Sequence, residues 1–188
     1  MQAPWKGSIP FESTMKNLIF QAIDLANRAH DGQVRKYTAM PYIMHPARVA
    51  GALTQYTNDQ EQIAAAWLHD VLEDATSVFR GELFRVMPTR VIELVQELTN
   101  KSKDMVAPRS VRKFVDREAL ASASPEARRI KLLDRIDNLA EMTAAPADFR
   151  GLYATESQQL LEALRGTSPE LEQLLLDTIN AVWEEADS

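Results

Sequence analysis

The chain has 188 residues, 45% hydrophobic and 26% charged. That is an ordinary globular balance, at a length one core can serve, so a single domain over residues 1–188 is expected. It contains no cysteine, which excludes disulfides and thiolate metal sites and leaves His, Asp and Glu as metal ligands. The formal charge of −6 argues against a broad nucleic-acid-binding surface and confines phosphate recognition to a local basic pocket.

The leading stretch "MQAPWKGSIPFESTMKN" has no apolar core of signal-peptide length. The longest apolar run, "IAAAWL", falls far short of the roughly 18 residues that indicate a membrane span. A cytoplasmic protein without a membrane partner is therefore expected. Six glycines and the absence of strand-like alternation predict an all-α fold of about eight or nine helices.

Ser13 or Thr14 caps a first helix running to about His30, with Met15, Leu18, Ala22, Ala26 and Ala29 near one stripe. Pro46 suits the first turn of a second helix carrying Val49, Ala50 and Leu53. Asp59 and Gln62 have capping-box spacing and open a helix that contains "LHDVLED". Thr76 or Ser77, and then Pro88, begin the next two. "TNKSKDMVAPRS" reads as a polar loop before a basic helix. Ser124-Pro125 and Ser168-Pro169 each pair a cap with proline at the first helical position, and Gly166 terminates the helix between them.

His69, Asp70, Glu73 and Asp74 crowd into six residues of an otherwise apolar segment. Residues three or four apart share a helical face, so all four can project into one cleft from a single helix. A metal held by His69 and Asp70 needs further ligands. His45, in "PYIMHP", stands on an extended lead-in to a helix because Pro46 disfavours helical geometry before it. The last ligand comes from "IKLLDRIDNL", as Asp134 or Asp137, and helical spacing does not choose between them. Two imidazoles and two carboxylates suit manganese, iron or zinc better than magnesium or calcium. A lone helical histidine is ordinarily a packed residue and an acidic cluster a solvated face, but only three histidines occur in this chain.

The segments "AHDGQVRKYTAMPYIMHPARVA", "AAWLHDVLEDAT" and "SVRKFVDREALASASPEARRIKLLDRIDNL" together resemble the HD-domain phosphohydrolases. The closer likeness is to the hydrolase domain of the RelA/SpoT family and the single-domain small alarmone hydrolases. The likeness covers a core of about residues 22–142, with C-terminal packing helices at about 146–187. It implies a helical bundle in which His45, His69, Asp70 and Asp134 hold a metal, usually manganese. Glu73 and Asp74 take the family's role of orienting or deprotonating the attacking water. Arg35 and Lys36 match the segment that contacts the nucleotide base, and Asn138 shares a face with Asp134, within reach of substrate or water.

Arg109 and Arg112, beside Lys113, can grip a diphosphate or simply be solvated. Tyr153 can stack on a base but more often such a residue packs in a core, and His30 is read as structural. The chain departs from the family at Ala39, where many relatives carry glycine, and at Leu133, where alanine is usual.

The resemblance implies a metal-dependent pyrophosphohydrolase acting on a small purine nucleotide, removing the 3′-diphosphate from (p)ppGpp. The alternatives are (p)ppApp hydrolysis, phosphatase action on a nucleoside monophosphate or NADPH, and a non-catalytic nucleotide sensor. A binuclear cyclic-dinucleotide phosphodiesterase would need more histidines, and basic residues are too dispersed for nucleic acid. The length leaves no room for synthetase or regulatory domains, so hydrolysis alone is expected. Apolar stripes in the last helices can close the core or support a dimer, which leaves the oligomeric state open.

Overall fold

The computed structural model describes residues 18–186, so the first helix's cap and Met15 lie outside the described residues. Helices α1 (Leu18–Ala29), α2 (Met44–Leu53), α3 (Gln60–Leu68), α4 (Val71–Asp74) and α5 (Ser77–Val86) form the first half. Then come α6 (Thr89–Leu98), α7 (Arg109–Ala121), α8 (Pro125–Ala140), a 3₁₀ turn at Met142–Ala144, α9 (Ala147–Ala163) and α10 (Pro169–Ala186). Among the described residues the one extended pairing is an isolated bridge between Val34 and Pro41. The fold is all-α, as the sequence predicts.

Two helices organise the core. In α3, Ile63, Ala64, Ala65, Ala66 and Leu68 are all buried, because the helix packs against α1, α2, α6 and α8. A helix apolar nearly all round belongs inside a bundle, and alanine lets its neighbours approach closely. The longer α8 touches α2, α3, α6, α7, α9 and α10, burying Ile130, Leu132, Leu133 and Leu139. The last two helices pack on each other and on α8, and Leu171, Leu175, Ile179 and Val182 of α10 join the same hydrophobic cluster as Ala22 and Leu25 of α1.

Two of the expected caps form, while Thr76 precedes α5 without a side-chain capping bond. Asp59 accepts from the backbone N–H groups of Glu61 and Gln62, and Ser124 accepts from that of Ala127, with Pro125 opening α8. Gly166 takes a left-handed φ of 82°, the backbone turn that glycine adopts without steric cost.

Two local predictions are corrected. His45 lies inside α2, in its first turn, rather than on an extended lead-in. Pro46 is accommodated because first-turn N–H groups have no intrahelical acceptor to lose. The "LHDVLED" segment is two pieces, α3 and α4, separated at His69 and Asp70. The His69 Nδ1–H donates to the Ala66 carbonyl at 2.8 Å, and α4 restarts with the N–H groups of Glu73 and Asp74 donating to the Asp70 carbonyl at 3.0 and 2.9 Å. Successive residues of a regular helix diverge by about 100°; the interruption lets two adjacent side chains face one point.

Candidate metal centre

The four predicted ligands converge. His45 Nε2 lies 3.2 Å from His69 Nε2 and 3.1 Å from Asp134 Oδ1. His69 Nε2 is 3.2 Å from Asp70 Oδ2, and the cross distances are 3.6 Å for His45 to Asp70 and 3.7 Å for His69 to Asp134. Helices α2 and α8 and the α3–α4 junction each deliver part of this set.

The tautomers are fixed by what each Nδ1 touches. A carbonyl only accepts, so His69 Nδ1 carries the hydrogen, and His45 Nδ1 likewise donates to Asp137 Oδ2 at 2.6 Å. Both neutral rings then turn an Nε2 lone pair inward, as metal-ligating imidazoles do. Two such lone pairs 3.2 Å apart, flanked by carboxylates, repel unless a cation lies between them. The donor set therefore fits a divalent metal ion, which His45, His69 and Asp70, with Asp134 beside both imidazoles, would hold.

Without a metal, protons answer the same demand. Burial disfavours protonated His69, but Asp70 and Asp134 beside it outweigh burial and lift the imidazole well above its ordinary value. Burial also opposes the charge on Asp134, yet Lys131 and the two histidines hold its carboxyl well below the usual range.

Asp137 is the residue that orients His45, whereas Asp134 faces the cluster. Arg48 clamps Asp137 through contacts of 2.5 and 2.9 Å and also reaches Glu141 at 2.5 Å. On the other side, Asn138 Nδ2 donates to Asp134 Oδ1 at 2.6 Å, while Lys131 pairs with Asp134 Oδ2 at 2.7 Å.

Glu73 and Asp74 line the cavity of about 190 Å³ that opens onto the cluster. The Asn100 backbone N–H and side-chain amide each donate to the Glu73 carboxylate at 2.7 Å. Burial pushes Glu73 above the usual carboxylate range, and burial together with the charge of Asp70 does the same to Asp74. The Tyr42 hydroxyl donates to Asp70 Oδ2 at 2.7 Å and lies 3.1 Å from Asp74 Oδ2.

The predicted substrate residues separate. Asn138 lines the cavity. Arg35 is committed elsewhere: its guanidinium bonds Glu141 at 2.8 Å and Asn138 at 2.6 Å, 5.3 Å from the Tyr42 ring centroid. Lys36 is exposed, with its ammonium near the Tyr37 and Phe149 rings. Arg112 and Lys113 line an adjoining cavity that shares Glu73, Asp74, Asn100 and Asp116 with the first. Arg109 lines it too, but holds Glu156 through both guanidinium edge nitrogens at 2.6 and 2.9 Å. Tyr153 packs beneath Arg135, and His30 is buried, stacked 4.8 Å from Tyr42.

Sequence reasoning did not assign Tyr42, Asn100, Lys131 or Arg135. Lys131 had a signal, standing three residues before Asp134, and Tyr42 stands three before His45 in the quoted motif. Asn100 had none, because only the folded chain brings it to Glu73.

The family model for the HD domain matches residues 22–167. The chain belongs to the HD-domain family. This HD-domain chain is 32% identical over 165 residues to the human protein named guanosine-3′,5′-bis(diphosphate) 3′-pyrophosphohydrolase, covering 84% of this chain and 90% of that one. It is also 32% identical over 172 residues to the Brucella ovis protein named GTP pyrophosphokinase rsh, and spans only 23% of that protein's length. A solved structure of a metazoan SpoT ortholog, described as hydrolysing ppGpp with a role in starvation responses, superposes with a TM-score of 0.78 at 27% identity, over 87% of this chain and 94% of the other. Among the described residues no helix of this HD-domain protein is long and apolar enough to cross a membrane.

Proposed function

We propose that the chain is a metal-dependent pyrophosphohydrolase that removes the 3′-diphosphate from the guanosine alarmone (p)ppGpp. One observation carries the reading: two imidazole nitrogens lie 3.2 Å apart, and one carboxylate oxygen each of Asp70 and Asp134 lies 3.1–3.7 Å from both of them, in a cavity also lined by Glu73 and Asp74. The likeness to a similar-sized human protein named for this reaction supports the substrate class. Manganese is our choice of metal, on the mixed nitrogen and oxygen donor set.

A divalent ion bound by His45, His69, Asp70 and Asp134 supplies Lewis acidity toward a phosphoryl oxygen and a water nucleophile near neutral pH. The protein's own groups do the rest. Glu73, held at both oxygens by Asn100 and raised by burial, is a better proton acceptor than an exposed carboxylate. Asp74 can share that role. Water attacks the phosphorus bonded to the 3′-oxygen, the P–O3′ bond breaks, and the proton taken by the carboxylate passes to the departing 3′-oxygen. The products are the nucleotide with a free 3′-hydroxyl and inorganic diphosphate. Asn138 steadies Asp134 through its amide. Lys36, near two aromatic rings, is placed to meet the purine, with Arg35 supporting that side through Asn138. Arg112, in the adjoining cavity, is the cation left for the remaining phosphates, because Arg109 is engaged by Glu156.

The test is product-resolved hydrolysis of ppGpp and ppApp with manganese, with Asp70→Ala as control. Diphosphate release that is metal-dependent, faster with ppGpp and lost in the control is expected. Faster ppApp turnover would move the reading to the adenosine alarmone, orthophosphate release would move it to a phosphatase, and binding without turnover would leave a sensor.

A further inference from the structure

Arg135 is only 7% exposed, yet among the described residues it has no carboxylate within ion-pairing distance. Its neighbours are already engaged: Glu156 is held by Arg109, and Asp134 by Lys131 and the histidines. The guanidinium lies 4.4 Å from the Tyr153 ring centroid. Stacking on that face leaves the in-plane N–H groups to seek acceptors. Nη1 makes one 3.2 Å bond to the Ser157 hydroxyl, while Nε is shut away from solvent without a partner.

A buried charge without a counter-ion is costly, and this one lines the cavity of the metal cluster. Lys113 lines the same cavity, and no described carboxylate lies within ion-pairing distance of it. Its ammonium is held below the usual lysine range by burial and by the repulsion of Arg135. Two cations kept together without acid partners describe a seat for an anion. Arg109, which sequence spacing offered with Arg112 for gripping a diphosphate, is spent on Glu156.

We propose that Arg135 and Lys113 form the subsite for the terminal phosphate of a diphosphate whose inner phosphate lies at the His45–His69–Asp70–Asp134 cluster. The assignment rests on the hydrolase reading above and deepens it. Arg135 is then the residue that distinguishes a diphosphate from a monophosphate, because only a diphosphate carries the second phosphate that it holds. The planar guanidinium fork suits two phosphate oxygens at once, which a lysine cannot match.

The experiment is calorimetric titration of methylenediphosphonate, a non-hydrolysable diphosphate, and of inorganic phosphate into manganese-loaded protein dialysed free of excess metal. Wild type should bind the diphosphonate more tightly. Arg135→Met should weaken the diphosphonate by ~100-fold, as loss of two charge-assisted hydrogen bonds implies, with phosphate affinity changed at most a few-fold and manganese content retained. Arg135→Lys should recover part of the loss, and Lys113→Met should cost ~10-fold. Unchanged diphosphonate affinity in Arg135→Met, or equal loss of both ligands, would overturn the subsite. Should Arg135→Met fail to fold, Arg135→Lys and Lys113→Met decide, and wild-type affinity in both would overturn it as well. Diphosphonate binding that depends on Arg135 in a protein that does not turn over ppGpp would keep the subsite and remove the hydrolase reading. Turnover with Arg135-independent binding would do the reverse.

Discussion

At the scale of single residues, the centre depends on groups that touch no substrate. His45 presents Nε2 to the cluster only while its Nδ1–H is held, and Asp137 holds it at 2.6 Å while Arg48 fixes Asp137. Removing the charge but keeping the acceptor isolates that effect. Asp137→Asn is expected to weaken manganese binding by roughly 10–100-fold, the usual cost of losing an outer partner of a metal-bound histidine. Calorimetry on the metal-free protein measures it. The fold should persist, because Arg48 retains Glu141; an affinity equal to wild type would show that His45 is oriented by packing alone.

At the scale of elements, the loop from His30 to Ile43 carries Tyr42 to the cavity and Arg35 to Asn138 on its wall, and its turn is strained at one place. Ala39 adopts a φ of 55°, a left-handed conformation that the Cβ of alanine disfavours. The turn is tied by the Arg35 N–H to the Met40 carbonyl at 2.8 Å and by the Ala39 N–H to the Arg35 carbonyl at 3.0 Å, so the backbone has little room to relax. Ala39→Gly should therefore stabilise the protein by about 0.5–1 kcal/mol despite glycine's greater unfolded-state entropy. A thermal melt should rise by about 2 °C for a chain of this size; a lower melting temperature would mean that the strain is relieved elsewhere. The break between α3 and α4 works at the same scale: it gives up regular helix at His69 and Asp70 in exchange for two ligands aimed at one point.

At the scale of the whole molecule, the ligands come from segments far apart in the chain, so metal binding and folding are coupled. Four donors assembled from α2, α8 and the α3–α4 junction have no counterpart in an unfolded chain, and an ion that binds only the folded state stabilises it. Manganese at about a hundred times its dissociation constant should add about 2.7 kcal/mol, raising the melting temperature by roughly 5–10 °C. Chelation should abolish the shift. Asp70→Ala should lack it, and a full shift in that variant would place the metal elsewhere. The same assembly concentrates charge: Glu73, Asp74, Lys113 and Arg135 are drawn from three different helices to one cavity, within a chain whose net charge is −6.

By itself the sequence determined the all-α class, most helix starts and the residue types open to a metal. These are local or compositional: an aspartate caps the helix that follows it, and a chain without cysteine and with three histidines has few ways to bind a transition metal. The family motifs carried the choice of Asp134 over Asp137, which helical spacing left open. Only the tertiary structure decided which charges are free and which are spent. Arg35 and Arg109 find Glu141 and Glu156 across 106 and 47 residues of sequence, whereas Arg135 finds no acid. A guanidinium's role depends on the acceptors the fold brings within about 3 Å of it, and that pairing is a property of packing, not of any segment read alone.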